Sequence, residues 1–222
     1  FNAAYKWIGR MHGGLASAAI AACAAYGAVV GVPFIGPISM GAVALPEMKR
    51  YGYADALSTG SICAGSTLGT LIPPSVPLVF YGILTQQSIG KLFVAGIVPG
   101  LFIAVVWILQ AYAQCRINPR LGPPGPAFSF KEKTPSLVHV WPVLALFFIV
   151  LGGIYKGVFT PVEAGGFGAV GALLIGICLR RYTWKRFNSA LYGAAVVVGM
   201  IFLMLAGAKL MGSFFVLSRF PY

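Results

Sequence analysis

The chain has 222 residues, of which 59% are hydrophobic and only 9% are charged, and its formal net charge is +12. About a quarter of the residues in a soluble domain are charged, so this composition excludes a soluble globular domain and predicts an all-α polytopic membrane protein. The 16 basic residues fall in short clusters between apolar runs. This pattern is typical of membrane topology rather than of nucleic-acid binding. We therefore expect the chain to contact the lipid bilayer and not to bind nucleic acid.

Residues that carry catalytic or metal chemistry are scarce. The four cysteines show no CxxC spacing, and His12 and His139 stand alone, so neither a disulfide framework nor a metal cluster is predicted. No catalytic pair and no nucleotide-binding motif occurs, so the chain is predicted not to be an enzyme. Any transport must then be driven by something other than ATP bound to this chain.

The first apolar segment, residues 13–46, predicts a re-entrant helical hairpin that covers about residues 13–48. Its middle reads GVPFIGP (31–37), and its prolines and glycines predict a turn rather than a helix. Each arm of about 17 residues rises only about 25 Å, whereas a bilayer core is about 30 Å thick. A hairpin that turns back is therefore favoured over two thin spans, and the basic residues before and after it predict that both ends face the cytoplasm.

The second segment, residues 56–90, predicts a broken helix. Residues 66–78 read STLGTLIPPSVPL, where Pro73 and Pro74 follow several hydroxyls and glycines. Broken backbone is tolerated at membrane depth only where protein or a water-filled cavity covers it, and its free carbonyls can hold a cation. The stretch therefore favours an ion site. A simple proline kink is the alternative. One proline is enough to kink a helix, however, and this stretch has two in a row.

Four later segments each predict one membrane span, because about 20 apolar residues cross a bilayer core; they are residues 92–115, 140–155, 161–179 and 187–208. Basic clusters at 116–133 and 180–186 predict cytoplasmic loops, so Lys91 and Lys156 are expected on the outer side. The proline-rich residues 116–139 are predicted to be a cytoplasmic linker.

Glu163 follows the sequence FTP at the start of the third of these spans. Pro161 at a first helical position with a carboxylate two residues later is an ordinary helix start, so a capping role is predicted for Glu163. A coupling carboxylate is the alternative. The chain has four acidic residues, and none lies deep in a predicted span, so few side chains are available to carry protons across the membrane.

Four stretches, in one order, resemble the large membrane subunit of the tripartite ATP-independent periplasmic (TRAP) transporters, the DctM type. They are GAVALPEMKRYGY (41–53), STLGTLIPPSVPLVFYG (66–82), SIGKLFVAGIVPGL (88–101) and GGIYKGVFTPVEA (152–164). The resemblance implies one half of an inverted-repeat, elevator-type transporter. Residues 1–115 then form the first-repeat transport unit, residues 116–139 the linker, and residues 140–222 the spans that lead into a truncated second repeat.

The resemblance also implies a function. A DctM-type subunit is the permease of a sodium-coupled secondary transporter that imports a small organic acid, such as a C4-dicarboxylate, across the bacterial inner membrane. Its implied partners are a periplasmic substrate-binding protein and a small four-helix membrane subunit. Sodium is the implied coupling ion and no tightly bound cofactor is expected. An ion channel and a non-transporting membrane scaffold are the alternatives.

Site residues carry over from the family to matching positions only. The implied sodium ligands are Ser66, Thr67 and Gly69. The family's hairpin tip usually reads close to SGSS, whereas residues 30–33 here read VGVP, so only main-chain carbonyls can serve at the tip. The full set of implied sodium and substrate contacts is Ser66, Thr67, Gly69, Thr70, Pro73, Pro74, Ser75, Gly31 and Val32.

Overall fold

The computed structural model describes residues 2–9, 11–32, 35–124, 141–179 and 183–218, and these residues form helices joined by short turns. In chain order the helices are α1 Asn2–Ile8, α2 Gly14–Val30, α3 Ile35–Arg50, α4 Asp55–Thr67, α5 Val76–Thr85, α6 Ile89–Ile117, α7 Trp141–Tyr155, α8 Pro161–Cys178 and α9 Trp184–Ser218. The all-α class is as predicted; α1 is a helix that the sequence analysis did not predict. The chain divides into a first unit, residues 1–172, and a second unit, residues 173–222.

Helices α2 and α3 form the two arms of the predicted hairpin, with 17 and 16 residues. Helix α2 ends at Val30 and is followed by Gly31, whose left-handed φ of 70° is common for a glycine directly after a helix. The turn is shorter than predicted, because α3 already begins at Ile35 and includes Pro37. A proline in the first turn of a helix removes no intrahelical hydrogen bond, so Pro37 is compatible with this early start.

Both ends of the hairpin are bound to the segment that follows α6. We call residues 118–124 the base strap. Its three consecutive carbonyl oxygens accept hydrogen bonds as follows: Leu121 from the Ala54 N–H (2.9 Å), Gly122 from the Gly13 N–H (3.2 Å) and Pro123 from the Tyr53 hydroxyl (2.9 Å). Because these donors come from the start of α2 and from the turn between α3 and α4, the hairpin begins and ends at one end of the unit, an arrangement common to a re-entrant hairpin and to two thin spans.

Tyr53 lies at the centre of this end of the unit. Its side chain is only 4% exposed, and its hydroxyl also accepts a hydrogen bond from the Leu15 N–H at 3.2 Å. Burial raises the pKa of Tyr53 to about 12, so the hydroxyl stays a neutral donor at physiological pH. The predicted linker therefore begins as an ordered strap; its residues from 125 onward lie outside the described residues.

The two ends of the first unit differ in their basic residues. The α5–α6 turn and the α7–α8 turn meet at the end opposite the base strap, where Lys91, Ile154 and Tyr155 line one cavity. Among the described residues, the basic ones near the base strap include Lys6, Lys49, Arg50, Arg116 and Arg120, and those at the opposite end include Lys91 and Lys156. Basic residues are more frequent on the cytoplasmic side of membrane proteins, so this distribution agrees with the predicted orientation, in which the base strap faces the cytoplasm.

Within the described residues, three helices are long and apolar enough to cross a membrane: α6 with 29 residues, α8 with 18 and α9 with 35. The chain is thus a multi-pass membrane protein. Helix α9 extends beyond the predicted span 187–208, from Trp184 through Lys209 to Ser218. Lysine is a good helix former, and about 52 Å of helix exceeds a bilayer core of about 30 Å, so Lys209 does not have to end the helix.

Candidate cation site at the helix break

The second segment is broken where the prolines predict it. Helix α4 ends at Thr67, a 3₁₀ turn covers Leu68–Thr70, and α5 begins only at Val76. The cause is local: Pro73, Pro74 and Pro77 have no N–H, so the carbonyls four residues earlier have no helical donor. The simple proline kink is therefore excluded, since a continuous helix does not pass through this stretch.

We call residues 68–75 the break, and most of their carbonyl oxygens lack a donor within the described part of the chain. The Leu68 carbonyl accepts from the N–H groups of Leu71 (3.0 Å) and Ile72 (2.9 Å), and the Thr70 carbonyl accepts from the Ser75 hydroxyl (2.7 Å). Among the residues that the structure describes, no donor reaches the carbonyls of Gly69, Leu71, Ile72, Pro73 and Pro74. Unpaired carbonyls inside a membrane are costly unless a ligand or water satisfies them.

The hydroxyls predicted as ligands all donate to nearby carbonyls: Ser66 to Ile62 (2.7 Å), Thr67 to Ala64 (2.9 Å), Thr70 to Thr67 (2.7 Å) and Ser75 to Thr70 (2.7 Å). A hydroxyl that donates one hydrogen bond still has lone pairs with which to bind a cation. These bonds fix the rotamers of the four side chains, so the oxygens are held in place rather than free to turn.

Ser66 and Thr67 do not share one environment. Ser66 is 1% exposed, and its Oγ lies so close to α3 that a Cβ placed on Gly36 would be 2.7 Å from it. Thr67 is exposed. The two hydroxyls therefore lie on different sides of α4, and the structure does not bring them together as a pair.

The hairpin tip meets the break directly. The Val76 N–H, at the start of α5, donates to the Gly31 carbonyl at 3.0 Å, and the Gly31 N–H donates to Gly27 at 2.6 Å. A Cβ placed on Gly31 would lie 2.7 Å from the Pro74 carbonyl oxygen, so only a glycine permits this approach. Val32 is buried, at 6% exposure, whereas Pro33 lies outside the described residues.

Sequence reasoning missed the glycines that surround the break. A Cβ on Gly27 would lie 2.7 Å from the Gly69 Cα, and a Cβ on Gly100 would lie 2.8 Å from the Ile72 Cγ1, while a Cβ on Gly96 would overlap the Leu71 carbonyl oxygen. The available signal was spacing, because glycines four residues apart in an apolar helix mark a close helix contact.

A cavity of about 420 Å³ adjoins the tip and the break. Gly31, Pro74 and Ser75 line one wall, and residues of α7 and α8 line the other; Ser75 supplies the one polar side chain among the lining residues. The cavity is therefore mostly apolar, and main-chain oxygens and the Ser75 hydroxyl are the polar groups on its wall that could bind an ion.

Glu163 has the capping role that the sequence predicts. The Thr160 N–H donates to Glu163 Oε2 at 2.8 Å, and the Glu163 N–H donates to Thr160 Oγ1 at 3.3 Å. This reciprocal pair is a capping box at the start of α8. Because the carboxylate already caps its own helix at an exposed position, the structure favours capping over a coupling role.

Comparison with known proteins adds a family match over the whole chain. The family model described as "Tripartite ATP-independent periplasmic transporter, DctM component" matches residues 1–222. This match extends beyond the four stretches that carried the resemblance, and it includes the hairpin, the break and the spans up to α9.

Similar proteins of known name support the same match. The chain is 38% identical over 174 residues to the C4-dicarboxylate TRAP transporter large permease protein DctM of Pseudomonas aeruginosa, covering 78% of this chain and 40% of the relative. It is 34% identical over 202 residues to the ectoine TRAP transporter large permease protein TeaC of Halomonas elongata, and this alignment covers 90% of this chain and 46% of the relative. It is also 34% identical over 225 residues to the isethionate TRAP transporter permease protein DctMQ of Oleidesulfovibrio alaskensis, and this alignment covers 99% of this chain and 35% of the relative. All three are named as permeases rather than enzymes, and the chain spans less than half the length of each.

Proposed function

The chain belongs to the DctM component family of tripartite ATP-independent periplasmic transporters, and we propose that it supplies the cation-holding part of a sodium-coupled importer of a small organic acid. The observation that carries this proposal is the group of unpaired carbonyls at the break, next to the hairpin tip. In membrane transporters, unwound backbone carbonyls are typical ligands of a coupling sodium ion.

The ligand set that we propose follows from the geometry of the break. Gly69 contributes a carbonyl without a donor among the described residues. Ser66 and Thr67 lie on different sides of α4, so only one of the two hydroxyls can face the same ion as this carbonyl. The carbonyls of Pro73 and Gly31 complete the candidate set. We propose Gly69 and Pro73 as the principal ligands, because within the described part of the chain neither carbonyl accepts a hydrogen bond that it would have to give up.

The substrate class rests on the relatives. They are named for a C4-dicarboxylate, ectoine and isethionate, three small polar molecules that each carry an acidic group. We propose a small organic acid of this kind for the present chain, with a dicarboxylate as the first candidate. Sodium is the coupling ion, and no tightly bound cofactor takes part.

The proposed assembly follows the family. A periplasmic substrate-binding protein delivers the acid, and a small four-helix membrane subunit, separate or fused, binds beside the permease; the name DctMQ of one relative is in keeping with a fused arrangement. The assembly lies in the bacterial inner membrane. The hairpin, the broken helix and α6 then move together as the transport unit of an elevator.

Uptake by the full-length protein in proteoliposomes tests the proposal. The external solution contains succinate, ectoine or isethionate, with or without the matching binding protein and with or without an inward sodium gradient. We expect accumulation of one substrate that requires both the gradient and the binding protein. Uptake that is independent of sodium, or large sodium currents without any binding protein, would overturn the proposal, the second result in favour of a channel.

A further inference from the structure

Two pairs of glycines contact the break. Gly27 and Gly31, at the end of α2, approach Gly69 and Pro74, and Gly96 and Gly100, within α6, approach Leu71 and Ile72. In each pair the glycines are four residues apart; Gly96 and Gly100 lie on one face of α6, whereas Gly27 lies in the last turn of α2 and Gly31 directly follows that helix. The α2 pair includes the hairpin tip, which is part of the proposed ion site, whereas the α6 pair lies outside it.

The two α6 glycines make different contacts with the break. A Cβ added to Gly96 would overlap the Leu71 carbonyl oxygen, which is part of the main chain and cannot rotate away by itself. A Cβ added to Gly100 would lie 2.8 Å from the Ile72 Cγ1, which is the flexible part of a side chain, and 3.5 Å from the Ile72 nitrogen. The contact at Gly96 is therefore the stricter of the two.

We propose that Gly96 is a positioning residue for cation binding, which acts by fixing the Leu71 peptide against α6 and never touches the ion. The peptide group is planar, so moving the Leu71 carbonyl turns the whole Leu71–Ile72 peptide. The break has few hydrogen bonds of its own with which to resist that turn. The neighbouring carbonyls of Gly69 and Pro73, two residues away on either side, then lose their orientation. This inference rests on the proposed sodium site.

A purely structural role for Gly96 makes a different prediction. If the glycine only lets α6 pack, then an alanine there lowers the stability of the protein by the same amount at every sodium concentration. If Gly96 positions ion ligands, then the alanine weakens the sodium-dependent part of the stability, because a ligand that binds the native state stabilises it according to its concentration relative to its Kd.

The experiment is a sodium titration of thermal unfolding, with the full-length protein purified in detergent. Sodium chloride replaces potassium chloride at constant ionic strength, so that sodium alone is the probe. The variants are Gly96→Ala and Gly100→Ala, with Gly90→Ala as the matched control on the same helix, where the nearest atoms to an added Cβ are 4.0 Å away. Alanine is the better helix former at all three positions.

We expect the half-saturating sodium concentration of Gly96→Ala to rise by about tenfold, which corresponds to about 1.4 kcal/mol of binding free energy. Gly100→Ala should show a smaller rise, because the Ile72 side chain can move, and Gly90→Ala should match the unsubstituted protein. If Gly96→Ala does not fold, the rise in Gly100→Ala decides the question.

The outcomes separate this inference from the proposal beneath it. A sodium-specific stabilisation of the unsubstituted protein with no change of the half-saturating concentration in the α6 variants would overturn the role of Gly96 and leave the sodium site standing. An equal rise in Gly90→Ala would also overturn it, since the effect would then belong to the helix and not to the contact. An unsubstituted protein that does not distinguish sodium from potassium would overturn both proposals.

Discussion

The break and the base strap are both irregular segments between helices, but they treat their carbonyls in opposite ways. In the base strap, the consecutive carbonyls of residues 121–123 each accept a hydrogen bond from another part of the first unit. In the break, the described residues leave the carbonyls of 71–74 and 69 without a donor. Irregular backbone alone does not indicate a binding site. Our proposal of a cation site rests on carbonyls that lack a donor among the described residues and that close packing holds in shape.

The two segments should also differ in what stabilises them. Donors from three separate places hold the base strap, so its shape depends on hydrogen bonds. Close glycine contacts hold the break, so its shape depends on the absence of side chains. The variants below test this difference, beginning with the largest expected effect.

Gly27→Leu should be the most damaging of these changes. A Cβ at this position would lie 2.7 Å from the Gly69 Cα and 2.9 Å from its nitrogen, both in the main chain. We expect a loss of about 3 kcal/mol in the free energy of unfolding, typical of severe overpacking, seen as a lower Tm. Gly60→Leu is the control, because no atom lies within 4 Å of an added Cβ there. Equal Tm values for the two variants would contradict a packed break.

Tyr53→Phe should cost about 2 kcal/mol of unfolding free energy, because it removes two hydrogen bonds and leaves the buried Leu15 N–H and Pro123 carbonyl without their partner. Calorimetry or chemical unfolding measures the loss. The half-saturating sodium concentration should not change, since the hydroxyl is part of the base strap contact and not of the break. A weakened sodium response would mean that the two segments are coupled.

The same tyrosine gives a pH dependence with a defined sign. Folding raises the pKa of Tyr53 from its ordinary value of 10 to about 12. The contribution of the neutral hydroxyl to stability is therefore fully present below pH 10 and is lost as the pH rises towards 12. Unfolding free energy measured between pH 9 and pH 12 should fall more steeply in the unsubstituted protein than in Tyr53→Phe. Parallel curves would exclude this tyrosine as the source.

The double change Pro73→Ala with Pro77→Ala should make the break resemble the base strap in one respect, which is that its carbonyls would accept hydrogen bonds. It restores N–H groups that can pair with the carbonyls of Gly69 and Pro73, at about 1 kcal/mol of added stability for each bond. The protein should become more stable and respond less to sodium. Titration of thermal unfolding with sodium checks both effects. A full sodium response in the more stable variant would contradict the assignment of these carbonyls.

Glu163→Gln should have the smallest effect. Glutamine can still accept the hydrogen bond from the Thr160 N–H that completes the capping box, so we expect a slight fall in Tm and an unchanged dependence of uptake on sodium and on pH. Uptake measured across pH is the relevant test. A strong loss of coupled uptake would restore the coupling carboxylate as an interpretation of Glu163.

The parts of this fold that follow from local chemistry were predictable. Pro73 and Pro74 lack donors in any context, and the residues around Gly31 cannot continue a helix, so the break and the hairpin turn could be predicted from sequence. Glu163 behaves in the same way, because a capping box involves residues three apart. Helix α9 extends beyond the predicted span 187–208 to Ser218, because a charged residue such as Lys209 can end an apolar run without ending a helix.

Features that depend on distant contacts could not be predicted. Ser66 and Thr67 are neighbours in sequence, yet one is buried against Gly36 and the other is exposed, which only the position of α3 decides. The contact of Gly96 with Leu71 and the bonds from Gly13 and Ala54 to the base strap join segments far apart in the chain. Glycine spacing indicates that a close contact exists, but not which backbone fills it.

High-resolution electron cryo-microscopy of the full-length protein, in sodium and in choline solutions, is the most direct test of the cation site. Our account predicts a density present in sodium only, bound to the Gly69 and Pro73 carbonyl oxygens beside Gly31. Identical maps in the two solutions, with these carbonyls paired to N–H groups from the rest of the protein, would contradict it.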